Sequence, residues 1–327
     1  MTKLLYISSV GHSGSTLLDI LIGSLPGFFS TGEMQYLPWQ LSRDGKPENG
    51  EKRQDICTCL KGFRDCEVWS KIFNVLRQET GLDFQAKPFS FRITLLRGQA
   101  YRRGAPKYLT IFHSIYQRAL IKTEMTSIER LLRRAEADTI RRNWQLIDAI
   151  GKACNMKVVI DSSKDIVRFH MLWSRRPEDT HLIVLVRDVY RIAASAIKRK
   201  ADPLRSARAW GGYYQLILKL VESNPKIPMI LINYEDMCEN PETTRRQIAQ
   251  HFDLSESTLM ANIDTRNYHI VFGSESRYAG PISIIRDDIW KMLLSDNALC
   301  KQLDKIRDQI APDLRKLRDR SDSNFSG

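Results

Sequence analysis

Four short apolar runs, each ending in a polar or glycine cluster and each followed by a helical stretch, constrain this chain more than any other feature. Residues 3–9 lead into Gly11, KVVI (157–160) ends at Asp161, LIVLV (182–186) ends at Arg187, and PMILIN (228–233) runs into Tyr234. Runs of this length bounded by such punctuation read as buried strands. Helical character follows over 15–24, 165–174, 189–200, 205–222 and 241–253. Strands alternating with helices predict an α/β fold, with a central, mainly parallel sheet flanked by helices. Ligands of such sheets bind at the carboxyl ends of the strands. Four clusters fall there: the 11–16 loop, Asp161-Ser162-Ser163-Lys164, Arg187-Asp188 and Tyr234-Glu235-Asp236.

The 327 residues are expected to form a single domain. Residues 37–150 read as a mainly helical insertion, with a helix over 67–79 and two or more within 106–153, and 317–327 as a frayed polar tail. Hydrophobic residues make up 43% of the chain, enough to bury a core and to exclude global disorder. The net charge of +12 favours anionic ligands without choosing among nucleotides, sulfated groups, nucleic acid and membrane surfaces. No recognised nucleic-acid motif accompanies the charge, so no nucleic-acid partner is expected. No run is long and apolar enough to predict a membrane span. The apolar N-terminus is broken by the 11–16 loop and by Asp19, which fits strand, loop and helix better than an export signal. A cytoplasmic location is therefore expected.

Six cysteines are present, and Cys57, Cys59 and Cys66 cluster in CTCLKGFRDC. Three soft ligands could bind zinc, but no fourth ligand at the usual spacing completes a set. The expectation is reduced thiols and no metal, with a disulfide open if the compartment is oxidising.

Gly11-His12-Ser13-Gly14-Ser15-Thr16 lies between a strand and a helix. Glycines let such a loop turn its N–H groups inward, and the helix N-terminus adds partial positive charge, making an anion cradle. The loop lacks the Walker A pattern: Ser9 stands where the first glycine belongs and Ser15 where the lysine belongs. A nucleoside triphosphatase uses that lysine on the β- and γ-phosphates.

GHSGSTLL, then Thr31-Gly32-Glu33, then Asp161-Ser162-Ser163-Lys164, then LIVLVRDVYRIAASAIKRK over 182–200 resemble the P-loop sulfotransferases, with a likeness to bacterial members and the tyrosylprotein branch. The resemblance runs with gaps over about 1–36 and 155–280. It implies a P-loop-like nucleotide-binding fold that takes 3′-phosphoadenosine 5′-phosphosulfate (PAPS) as co-substrate and leaves PAP as product. Gly11, His12, Ser13, Gly14, Ser15 and Thr16 would then grip the 5′-phosphosulfate. Arg187, Ser195 and Arg199 would hold the 3′-phosphate. Independently, Ser195 and Arg199 share a helix face, and a guanidinium fork suits a phosphate. The resemblance adds Tyr234 near the nucleotide, and Ser274 and Arg277 in a late loop over its 3′ end.

By the same likeness Glu33 is the expected general base, and Lys164 stabilises the leaving oxygen. His12 stands where the family often carries Lys or Arg; it could donate to the sulfuryl group or itself be the base, and Glu33 is favoured. The expected reaction is transfer of a sulfuryl group to an acceptor hydroxyl on a glycan, lipid, peptide tyrosine or small molecule. The 37–150 insertion is the expected source of acceptor specificity. Residues 92–142 hold 12 Lys and Arg against 4 Asp and Glu, which suits an anionic acceptor. Competing readings are an ATP-using P-loop phosphotransferase and a non-catalytic anion-binding module.

Overall fold

The computed structural model describes residues 1–43, 56–94, 134, 136–254, 263–282, 284, 288, 290–294 and 296–323. Its centre is a five-stranded parallel sheet in the order β2-β3-β1-β4-β5. The strands are β1 (Lys3–Ser8), β2 (Phe28–Ser30), β3 (Val158–Lys164), β4 (Thr180–Val186) and β5 (Met229–Asn233). Each of the four apolar runs is a strand. The sequence reading misses β2, because three residues are too few to show a period.

Alternation along each strand divides the core between two faces. Leu4, Tyr6, Val159, Leu182, Val184, Met229 and Leu231 belong to the larger cluster. Leu5, Ile7, Val158, Ile160, Ile183, Leu185, Ile230 and Ile232 belong to the other. The second face is covered by α1 (Ser15–Gly23), which adds Leu18, Leu21 and Ile22.

The larger face carries α2 (Leu37–Arg43), α3 (Glu67–Thr80), α4 (Ala137–Cys154), α5 (Ile166–Trp173), α6 (Val189–Lys198) and α7 (Pro203–Ser223). Trp69, Trp144, Phe169 and Trp210 are buried there, from α3, α4, α5 and α7. Short helices α8 (Tyr234–Glu239) and α9 (Pro241–His251) follow β5 on the α1 side, and α10 (Trp290–Leu293) and α11 (Asn297–Ser323) end the fold.

Aspartates set three helix starts. Asp165 accepts from Val167 and Arg168 N–H at α5, Asp188 from Tyr190 at α6, and Asp202 from Leu204 and Arg205 at α7. Each supplies an acceptor for donors that a first turn leaves without intrahelical partners.

One expectation changes. Residues 317–323 continue α11 rather than fraying: Leu317 is buried, and the Ser321 hydroxyl accepts the Leu231 N–H of β5 at 2.9 Å. Composition cannot reveal that docking. Of the 37–150 insertion, 44–55, 95–133 and 135 lie outside the described residues, and most of the basic 92–142 segment goes with them. Among the described residues no helix is long and apolar enough to cross a membrane.

Candidate active site

The loop after β1 turns through His12 (φ 64°) and Gly14 (φ 90°) into α1. No side chain caps this helix, in contrast to α5, α6 and α7. Gly14 is required twice over. Its φ is left-handed, and a Cβ there would come within 2.3 Å of the Tyr234 ring. Ser13 is buried and donates to Ser9 Oγ at 2.7 Å, while Thr16 Oγ1 accepts the Ser274 N–H at 3.1 Å. His12 keeps solvent access at the loop apex. Even so, desolvation by its surroundings, then the charges of Arg199, Lys164 and Arg187, lower its pKa to about 4.

Lys164 ends β3. Between Tyr6↔Asp161 and Ser8↔Lys164 the pairing with β1 gains one residue on β3, a bulge that bends the strand end and re-aims its side chains. Lys164 takes φ 68° there. Its carbonyl accepts from Ser8 Oγ at 2.9 Å and from the Tyr213 hydroxyl of α7. Upstream, the fully buried Asp161 accepts from Arg168 Nε at 3.0 Å and from Ser163 N–H at 3.0 Å. Asp161 thus braces the strand end, and Ser163 and Lys164 are the residues of that cluster that line the site.

Glu33 follows β2 across Gly32. Thr31 N–H donates to Ile160 O at 3.1 Å, Val271 N–H to Thr31 O at 2.8 Å, and Glu33 N–H to Phe272 O at 3.0 Å. Gly32 has φ 66°, and a Cβ on it would stand 2.4 Å from Phe272 O. The strap around 270–273 therefore packs directly on the Glu33 backbone. Glu33 Oε1 and Lys164 Nζ form an ion pair, with side chains 13% and 18% exposed. The pair lines a cavity of about 660 Å³ with Gly11, Gln35, Tyr36, Ser163 and Tyr213 among its other walls.

On the other side of the loop, Arg187 Nη1 donates to His12 O at 2.7 Å, and its guanidinium lies 4.3 Å from the Tyr234 ring centroid. Arg187 is thus tied to the loop, not to Asp188, whose carboxylate caps α6. Arg199 Nη1 donates to Ser195 Oγ at 2.9 Å. The fold therefore brings Gly11, at the start of the loop, together with Glu33 and Lys164 around one cavity, while Arg187 and Tyr234 contact the loop at His12 and Gly14 and Arg199, bonded to Ser195, lies near enough to act on His12. Ser274 meets the first turn of α1 through its backbone, and its hydroxyl bonds that of Ser276. Arg277 bonds within its own segment. It is 1% exposed, and its guanidinium donates to Val271 O at 3.2 Å and to Tyr278 Oη at 2.6 Å.

Sequence reasoning misses Tyr213, Gln35 and Tyr36, which no local pattern distinguishes from core or loop residues. It also misses Asp19, fully buried behind the loop. Asp19 accepts from Ser30 Oγ and from Ser162 Oγ at 2.7 Å, and burial raises its pKa to about 7 against those hydrogen bonds. The third omission is His269, which meets Cys57, Cys59 and Cys66 with all four ligand atoms within 4.8 Å of one another. Hydrogen bonding with the Cys57 thiol holds Cys59 and Cys66 below the usual thiol range.

No family model matches the sequence, and no characterised protein matches it. Among solved structures, the chain is similar to a sulfotransferase domain from the curacin biosynthetic pathway, at 14% identity and a TM-score of 0.48, covering 95% of this chain and 97% of that one. It is also similar to a sulfotransferase domain from the Synechococcus PCC 7002 olefin synthase, at 18% identity and a TM-score of 0.45, covering 95% and 94%. A third similarity is to a sulfotransferase from Mycobacterium tuberculosis H37Rv, at 14% identity and a TM-score of 0.42, covering 90% and 77%.

Proposed function

We propose that this chain is a sulfotransferase that moves a sulfuryl group from PAPS to an acceptor hydroxyl. One observation carries the reading: an anion cradle without a Walker lysine opens beside a cavity that holds a carboxylate and a lysine in contact. The motif resemblance supplies the donor. The local chemistry fits it, since α1 begins without a side-chain cap and Arg187, Ser195 and Arg199 gather cationic and hydroxyl donors nearby.

PAPS, when bound, supplies the activated sulfuryl group. The 11–16 loop would bind its 5′ end through N–H groups and the helix dipole. Arg187, Ser195 and Arg199 would hold the 3′-phosphate and so fix the position of the reacting end. Glu33 takes the proton of the acceptor hydroxyl, and Lys164 offsets negative charge on the departing oxygen. Glu33 is preferred to His12 as base because it lines the cavity in contact with Lys164. Desolvation, then the charges of Arg199, Lys164 and Arg187, lower the His12 pKa to about 4, which leaves its ring neutral near pH 7. As a neutral ring it is suited to donate one hydrogen bond. The acceptor would enter the cavity lined by Gln35, Tyr36 and Tyr213.

The test is ligand-induced stabilisation without added metal. At about 100 times Kd, a ligand contributes roughly 2.7 kcal/mol to the folded state. PAP alone is expected to raise Tm by several degrees. Stabilisation by ATP with Mg²⁺ and none by PAP would move the assignment to phosphoryl transfer.

A further inference from the structure

Cys57, Cys59 and Cys66 lie on one loop, and the fourth member of the group, His269, is 203 residues beyond Cys66. His269 Nδ1 stands 3.5 Å from Cys57 Sγ and 3.2 Å from Cys66 Sγ. Tetrahedral zinc, with Zn–S near 2.3 Å and Zn–N near 2.0–2.1 Å, sets sulfur and nitrogen roughly 3.5 Å apart. Cys57 and Cys66 are fully buried, and Cys59 and His269 partly so.

The surrounding bonds hold these groups in place. Cys57 N–H donates to Lys61 O at 3.0 Å and Cys66 N–H to Gly62 O at 2.8 Å, so the loop folds back on itself between the thiols. The Thr58 hydroxyl bonds Tyr268 O and accepts the Ile270 N–H at 3.2 Å. Trp69 Nε1 donates to His269 O at 2.8 Å. The histidine backbone is thus pinned on both sides. Three thiols and one imidazole, gathered from two distant segments with no disulfide among the described residues, form a donor set suited to zinc.

We propose that Cys57, Cys59, Cys66 and His269 bind one structural zinc ion that fastens the cysteine loop to the strap beside Glu33. Four protein ligands complete a tetrahedron and leave no position for water or substrate, so the ion is structural and takes no part in transfer chemistry. Binding releases the thiol protons and needs no oxidant. Its mechanical role follows from chain order. Two residues after His269, Val271 bonds Thr31, and Phe272 next to it accepts the Glu33 N–H. A bound ion at residue 269 would hold the strap at the end nearest these contacts.

The proposal is independent of the sulfuryl-transfer reading, and its test uses no turnover. The full chain, produced with zinc in the medium and dialysed, is expected to contain about one zinc per chain. After replacement with Co²⁺ it should show the intense visible absorption of a tetrahedral thiolate site. Cys66→Ser and His269→Ala should lose the metal, whereas Cys300→Ser, on α11, should keep it. A chelator should lower the Tm of the wild type and have little effect on the zinc-free variants. If a ligand variant fails to fold, zinc content and the cobalt spectrum of the wild type still decide. Wild-type protein that takes up no zinc while its thiols are reduced overturns the proposal. So does a disulfide among the three cysteines, or full zinc retention in both ligand variants.

Discussion

Glu33 and Lys164 face one another as an ion pair, although 131 residues separate them in the chain. Lys164 ends β3 and Glu33 lies three residues past the adjacent β2, and the two meet in the wall of the cavity. Glu33→Gln keeps the shape and removes the proton acceptor, so kcat is expected to fall about 10²–10⁴-fold. PAP affinity should change little. Lys164→Met should also slow turnover, and the double variant should lose less than the product of the two single effects, because the residues act together. Steady-state kinetics on the four proteins measures this. Wild-type turnover in Glu33→Gln with an inactive His12→Gln would transfer the base to His12.

Arg187 is tied to the loop through His12 O and packs on Tyr234. Arg187→Ala is expected to weaken PAP by about 1.5–3 kcal/mol, the value of a hydrogen bond to a charged group. Adenosine 5′-phosphosulfate, which lacks the 3′-phosphate, should lose much less. Calorimetric titration of both ligands separates the outcomes. Equal losses would make Arg187 a support for the loop.

Asp19 gives the fold a pH dependence of known sign. Its folded pKa, about 7, lies above the ordinary value of 3.8. Its contribution is therefore complete below about pH 4 and is lost as pH rises through 7. Asp19→Asn removes that slope. Between pH 5 and 8, urea unfolding should show the wild type losing about 3 kcal/mol relative to Asp19→Asn. A constant difference across that range would mean that Asp19 is ionised throughout.

Gly14→Ala places a methyl group against the Tyr234 ring and forces alanine to a φ of 90°. The left-handed backbone alone costs about 1–2 kcal/mol. Thermal unfolding should show at least that loss, and PAP should no longer stabilise the variant. Adding Tyr234→Ala should recover part of the stability, since it removes the clash and leaves the backbone strain. No recovery would locate the whole effect in the backbone.

The strands were legible because each of the four longer ones begins as an apolar run that meets a polar or glycine cluster, although β3 continues through that cluster from Asp161 to Lys164. The 11–16 loop was legible from glycine and hydroxyl spacing, and its contact with Tyr234 shows why Gly14 must lack a side chain. Tyr213 was not legible. Its hydroxyl reaches Lys164 O and Ser8 Oγ only because α7 crosses the ends of β1 and β3. His269 was hidden for the same reason: metal-ligand spacing is a local signal, and its partners lie in a loop 203 residues or more earlier. The short β2 and the final turns of α11 take their form from neighbours and not from any period of their own.

The parallel bridge between Gly32 and Phe272 also sets a timetable for synthesis. A ribosome makes the loop, β2 and Glu33 first, yet the backbone partner of Glu33, Phe272, emerges only after all five strands of the sheet have been translated. Until then Thr31 O and Glu33 N–H must find water or transient partners, so the segment just after β2 would have an unfinished edge. A chain ending before residue 272 would possess the cradle without the support behind it. The last quarter of the message therefore governs whether the first thirty-three residues become a working site.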